Sequence, residues 1–225
     1  MTKEKIIGVI GDIHGCYSEL CVLYKILLTH TDDIYSVGDL IDRGRDSKSV
    51  IQFCIDNNIK PVMGNHEDML IRAIRKSNYE IVPGYETNLS HWQWNGGAQT
   101  IFSYLGKKSR SFRKFTAELR DCGHFDFISK FPLKIELDNC IISHGGIKKN
   151  KPLDNVLWNR EIPSKLKKIQ IIGHTPAENV YYKRNHYMNI DTGCVFGGKL
   201  TAVVIDIKSD KLIRHISVPS EKKRR

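Results

Sequence analysis

Asp12 and His14 follow the first apolar run of the chain, Ile6, Ile7, Val9 and Ile10, within Gly11-Asp12-Ile13-His14-Gly15. On an extended strand, side chains two apart share a face, so a carboxylate and an imidazole aim at one point from the strand's C-terminal end. That is part of a metal site. The pattern recurs: Gly38-Asp39, Gly64-Asn65-His66-Glu67, Ser143-His144-Gly145-Gly146 and Gly173-His174-Thr175 each close an apolar run with an oxygen or imidazole donor. Any one of these has an ordinary reading, a turn aspartate or a satisfied core histidine. Their coincidence at five run ends argues for a common site.

The collected donors are Asp12, His14, Asp39, Asn65, His144 and His174, with no thiolate among them. Such a mixed oxygen and nitrogen set suits Mn, Fe, Zn, Ni or Mg better than a structural zinc. Six protein ligands are too many for one ion that must keep an open position. Two ions sharing a carboxylate solve the count, and Asp39, directly after a glycine, is the natural bridge. Two divalent cations against Asp12 and Asp39 leave the site at +2, which suits a phosphate dianion.

Neighbouring residues at the end of an extended segment face opposite ways. If Asn65 turns its amide oxygen to a metal, His66 points above the ions, where a proton donor for a leaving group belongs. Asp42, three residues past Asp39, is placed to hold the His66 imidazole protonated. Arg43 beside it offers a planar fork to phosphate oxygens.

The elements that position these residues follow from apolar spacing. Leu20, Leu23, Tyr24, Leu27 and Leu28 recur at helical intervals after Gly15. Ile34 to Val37 reads as a second strand, Ser47 to Asn57 as a second helix, and Ile59 to Met63 as a third strand that Pro61 marks as irregular or at an edge. Met69, Leu70, Ala73 and Ile74 mark a third helix. This alternation argues for an α/β fold with polar residues gathered at strand C-terminal ends. Residues 77–121, with Pro83-Gly84 and the basic cluster around Arg110, read as loop and short helices capping the site. The second half is richer in strands: Leu133 to Leu137, Cys140 to Ser143, Ile169 to Ile172, Tyr187 to Ile190, Leu200 to Ile207 and Leu212 to Val218.

The chain of 225 residues is expected to form one domain over residues 1–218, followed by a basic, disordered tail over 219–225. Its formal net charge of +10 favours acidic partners. No aromatics interleave with the basic tail, which argues against a nucleic-acid ligand there. No apolar stretch is long enough to span a bilayer, and the first residues lack the apolar segment of a signal peptide, so no membrane association and a cytoplasmic location are expected. The six cysteines show no paired spacing and read as reduced, with no disulfides.

The ordered motifs at Gly11–Gly15, Gly38-Asp39 with Asp42-Arg43-Gly44, Gly64–Glu67, His144-Gly145-Gly146 and Gly173-His174-Thr175 resemble those of the calcineurin-like metallophosphoesterases of the phosphoprotein phosphatase family. The likeness is nearest to the compact bacterial and phage serine/threonine protein phosphatases typified by lambda phosphatase. It extends through His91-Trp92 with Asn95-Gly96-Gly97, Trp158-Asn159-Arg160-Glu161, and Ile190-Asp191-Thr192-Gly193 before Val195-Phe196.

The resemblance implies a central β-sandwich flanked by helices. It implies one metal held by Asp12, His14 and Asp39 and a second held by Asp39, Asn65, His144 and His174, with Mn first among the candidates. His66 would be the general acid oriented by Asp42, and Arg43 and Arg160 would bind phosphate. Met63 stands where many relatives carry arginine and takes no role, and His186 falls outside every matched motif. The expected activity is hydrolysis of a phosphomonoester by in-line attack of a hydroxide held between the ions. The leading substrate is a protein phosphorylated on serine or threonine, with phosphotyrosine also admitted. The alternative is a nucleotide, as in a bis(5'-nucleosyl)-tetraphosphatase.

Overall fold

The computed structural model describes residues 5–75, 84, 87–209 and 211–222. The first apolar run is strand β1 (Ile6–Ile10), followed by α1 (Tyr17–Leu27), β2 (Ile34–Ser36), α2 (Ser47–Asp56), β3 (Lys60–Pro61) and α3 (Asn65–Arg75). Helices α4 (Asn88–Trp92), α5 (Ala98–Leu105), α6 (Phe112–Asp121) and α7 (His124–Ile128) come next. A wide turn over Gln93–Gly97 joins α4 to α5, and Gly96 there has φ 107°. The second half is β4 (Lys134–Glu136), β5 (Cys140–Ser143), β6 (Ile169–Ile172), β7 (Tyr181–Lys183), β8 (Tyr187–Asn189), β9 (Lys199–Asp206) and β10 (Lys211–Pro219).

The strands form two five-stranded sheets, ordered β10-β9-β1-β2-β3 and β4-β5-β6-β8-β7. Their centres, β1-β2-β3 and β5-β6-β8, are parallel, and the remaining pairings are antiparallel. Proline cannot donate to a ladder, and Pro61 sits in the edge strand β3.

Alternation along the strands sorts the core into two layers. Ile7 and Val9 of β1 and Val203 and Ile205 of β9 face Ile142, Ile171 and Met188 across the sandwich. Ile10, Ala202 and Val204 turn the other way, against Leu20, Leu23 and Leu27 of α1. The architecture is therefore a mixed α/β sandwich with helices on the outer face of the first sheet. The parallel centres of both sheets deliver their C-terminal ends to one region, which collects residues distant in sequence.

Three features depart from the sequence reading. Strand β7 and helix α7 have no counterpart in it; both are short, and β7 carries no buried face to leave a period-two signal. Helix α3 begins at Asn65, so Asn65 and His66 occupy a helical first turn rather than the end of an extended segment. Their side chains diverge because neighbours on a helix lie about 100° apart. The third departure concerns the end of the chain. Strand β10 runs to Pro219, and Ser220 to Lys222 are hydrogen-bonded to Gly198, Glu19 and Val195.

Residues 76–83 and 85–86 of the cap region and 223–225 of the tail lie outside the described residues. From Thr87 onward the cap is helical and packed, with Trp92 stacked on Phe115 at 5.6 Å and both fully buried. Among the described residues no helix is long and apolar enough to cross a membrane, and the six cysteines are unpaired.

Candidate metal centre

Asn65 is delivered by the first turn of α3 and the other donors by loops at strand ends, where several backbones are strained. His14, Asp39, Asp42, Arg43 and His174 all have φ between 45° and 72°, a region costly for residues with a Cβ. The strain is held by close backbone packing. A Cβ on Gly64 would collide with Asp39 Oδ1, and one on Gly173 with Asp12 Oδ1. Only glycine lets these loops approach so closely.

The loops meet around one carboxylate. Asp39 Oδ2 lies 3.3 Å from His14 Nε2, 3.4 Å from His144 Nε2 and 3.9 Å from His66 Nε2. His144 Nε2 is 2.8 Å from Asn65 Oδ1 and 3.1 Å from His174 Nδ1. The opposite ring nitrogens are committed: His14 Nδ1 donates to Ile41 O at 2.7 Å, and His144 Nδ1 to Val37 O at 2.8 Å. These bonds place a proton on each Nδ1 and turn both Nε2 atoms toward the cluster. Asp12 joins from the side, accepting the backbone N–H of His174.

So many electron-pair donors in a sealed space require a positive charge among them. Burial would push His144 down, but the Asp39 carboxylate outweighs it and His144 is pushed up to about 10. Burial likewise works to raise Asp39, and the imidazoles of His144, His66 and His14 overcome it, holding the carboxyl well below its usual range. Burial and His144 lower His174 to about 3, and burial lowers His14, so both rings are held neutral. Asp12 is raised well above its ordinary value by burial and by the Asp191 carboxylate. Buried His174 Nε2 has no hydrogen-bond partner among the described residues. Divalent cations fit this donor set. Two groups can hold them: Asp39 with His144 and His174, and Asp39 with His14 and His66.

Above the cluster, His66 Nδ1 donates to Asp42 Oδ2 at 2.7 Å while its buried Nε2 has no hydrogen-bond partner among the described residues. Burial pushes Asp42 up and lowers His66 to about 3. Trp92 Nε1–H and Thr100 Oγ1–H oppose this by donating to the Asp42 carboxylate at 2.9 and 2.6 Å, which favours its ionised form. Arg43 reaches His14 Nε2 with one guanidinium nitrogen at 2.6 Å. Arg160 is exposed and donates to His174 O at 2.9 Å, at the opposite rim.

All ten site residues of the sequence reading are therefore brought together: Asp12, His14, Asp39, Asn65, His144 and His174 in the cluster, with His66, Asp42, Arg43 and Arg160 around it. His186 lies elsewhere, its Nε2 on Pro163 O, and Met63 belongs to the core. Glu67 was missed. Its carboxylate accepts four backbone N–H groups, from Asp39, Leu40, Ile41 and Gly64, and thereby shapes the Asp39 loop. Burial pushes it up to about 8, against the pull of those donors. Its position in the first turn of a helix, where a carboxylate is favoured, was the available signal. Trp92 and Thr100 as partners of Asp42 left no signal.

The family model for calcineurin-like phosphoesterases matches residues 6–205. Bis(5'-nucleosyl)-tetraphosphatase PrpE of Anoxybacillus flavithermus is 31% identical over 223 residues, covering 88% of this chain and 89% of the relative. Serine/threonine-protein phosphatase 1 of Salmonella typhimurium is 31% identical over 217 residues, covering 87% and 89%. A crystal structure provisionally identified as a diadenosine tetraphosphatase superposes with TM-score 0.66 at 20% identity, covering 97% and 95%, which speaks to the fold alone.

Proposed function

The chain belongs to the calcineurin-like phosphoesterase family and is a metal-dependent phosphoester hydrolase, and from that premise we propose that its substrate is a dinucleoside tetraphosphate. The chemistry rests on one observation: three imidazole Nε2 atoms converge within 3.9 Å of Asp39 Oδ2, two of them with their other nitrogens tied to backbone carbonyls. In this reading Asp12, His14 and Asp39 hold one divalent ion, and Asp39, Asn65, His144 and His174 the other, with Mn the first candidate. Such ions supply Lewis acidity at the phosphoryl oxygens and lower the pKa of water from about 15.7 to about 7.

The chain's own residues do the rest. Arg43 and Arg160, on opposite sides of the cluster, bind phosphoryl oxygens and orient the phosphorus. Asp42 accepts from His66 Nδ1–H, and its carboxylate form favours the imidazolium, whose Nε2–H faces the leaving oxygen. His66 then delivers a proton as the bond breaks.

The choice of substrate rests on the relatives and on the rim. The sequence reading put phosphoproteins first; a relative called a bis(5'-nucleosyl)-tetraphosphatase matches as well as one called a protein phosphatase. Aromatic faces flank the centre. Trp158 is exposed with its ring 6.1 Å from that of His174, and exposed Phe196 lies under the Arg43 guanidinium at 5.4 Å. A substrate with a nucleobase at each end has partners for both. The protein phosphatase reading stands second, supported by the Salmonella relative.

Purified enzyme loaded with Mn and offered diadenosine tetraphosphate, a phosphoserine peptide and a phosphotyrosine peptide tests the choice. The highest kcat/KM is expected on the dinucleotide. Preference for a phosphopeptide would reverse the order.

A further inference from the structure

A cavity of about 440 Å³ lies beside the cluster, between the starts of α1 and α2 and the C-terminal segment, lined in part by Tyr17, Arg43, Arg45, Gln99 and Lys222. Arg43 belongs to both places. One of its guanidinium nitrogens is 2.6 Å from His14 Nε2, and the side chain also walls the cavity. A phosphate held by Arg43 therefore has the cluster on one side and the cavity mouth on the other.

The far wall is the segment after β10, where Glu221 N donates to Glu19 Oε1 at 2.9 Å and Lys222 Nζ to Val195 O at 3.1 Å. The volume falls within the range of about 300–1,000 Å³ typical of small-molecule sites, and exceeds what a phosphoseryl side chain needs. Glu19, Asp46 and Glu221 also line it, but Glu19 spends one oxygen on the Glu221 backbone. Among the described residues neither Arg45 nor Lys222 is drawn into an ion pair, so both cations are available to an anionic ligand.

We infer that this cavity receives the nucleoside-phosphate portion of the substrate on the Arg43 side, with Arg45 and Lys222 on the phosphate chain and Tyr17 and Gln99 on the nucleoside. The inference rests on the dinucleotide reading above. It makes Arg45 and Lys222 specificity residues, since a small monoester bound at the cluster would not reach them.

The test compares the metal-loaded full chain with the Arg45→Ala/Lys222→Ala double variant and the Lys222→Ala single variant. Kinetics are read on diadenosine tetraphosphate and p-nitrophenyl phosphate, together with inhibition of the latter by ATP, and thermal unfolding confirms the fold. In the double variant, KM for the dinucleotide and Ki for ATP are expected to rise about tenfold, the worth of one good charged contact. The ratio of kcat/KM on the dinucleotide to that on the aryl ester should fall by a similar factor. An unchanged KM, Ki and ratio in both variants overturns the cavity assignment and leaves the dinucleotide reading standing. A wild-type enzyme that cleaves phosphopeptides but no dinucleotide overturns that reading, and the cavity assignment with it.

Discussion

His66 Nδ1 and Asp42 Oδ2 are 2.7 Å apart and sealed from solvent, although one residue opens α3 and the other sits in the loop after β2. The Asp42 carboxyl group also takes a hydrogen bond from Trp92 and another from Thr100, so its orientation is fixed on three sides. A histidine held this way has one nitrogen committed and one to offer.

Replacing His66 with Asn should lower kcat on a phosphoserine peptide by about 10²-fold to 10⁴-fold while leaving two ions per chain, because the residue acts on the leaving group. Its effect on diadenosine tetraphosphate should be smaller. A phosphate leaving group, with a last pKa of about 6, needs protonation less than an alkoxide does. Steady-state kinetics and elemental analysis check both. If the purified variant lacks one ion, His66 is a ligand, as its grouping with His14 and Asp39 also permits.

Asp39 is the negative centre on which three histidines converge, so Asp39→Asn should abolish turnover and reduce bound metal. Retention of both ions with measurable turnover would show that the carboxylate does not bridge them.

Glu67→Gln should destabilise the fold by about 3 kcal/mol, since an amide offers one acceptor oxygen where four backbone N–H groups need two. For a chain of this size that is a fall in Tm on the order of 10 °C. An unshifted unfolding transition would mean that the four N–H groups do not need the second oxygen.

Gly64→Ala and Gly173→Ala would drive a methyl group into Asp39 and Asp12 respectively. Both variants should fold, with displaced ligands and weakened metal binding, and titration with Mn should show this before any assay of turnover does. Wild-type metal affinity in both would remove the argument that these glycines set the ligand positions.

Much of this was readable in the sequence. Strands β1, β5 and β6 and the cores of α1 and α2 follow from local apolar spacing, because each buries one face against a continuous layer. The donors were readable for a related reason: a residue type that cannot be buried unpaired, placed at the end of a buried strand, announces a partner. Asn65 and His66 were placed correctly relative to each other, but on the wrong element. An apolar run ending in glycine gives no local sign that helix α3 begins with the very next residue.

Sequence by itself determined the fold class and which residues to look for in one cluster, since both depend on residue types at short spacing. Tertiary structure decided which donors share a carboxylate, which nitrogen of each imidazole is free, and that Trp92 and Thr100, 50 and 58 residues from Asp42, hold it in place. Those are contacts between distant segments, fixed only when the two sheets and the helical layer close over one another. No local pattern encodes a distance across that closure.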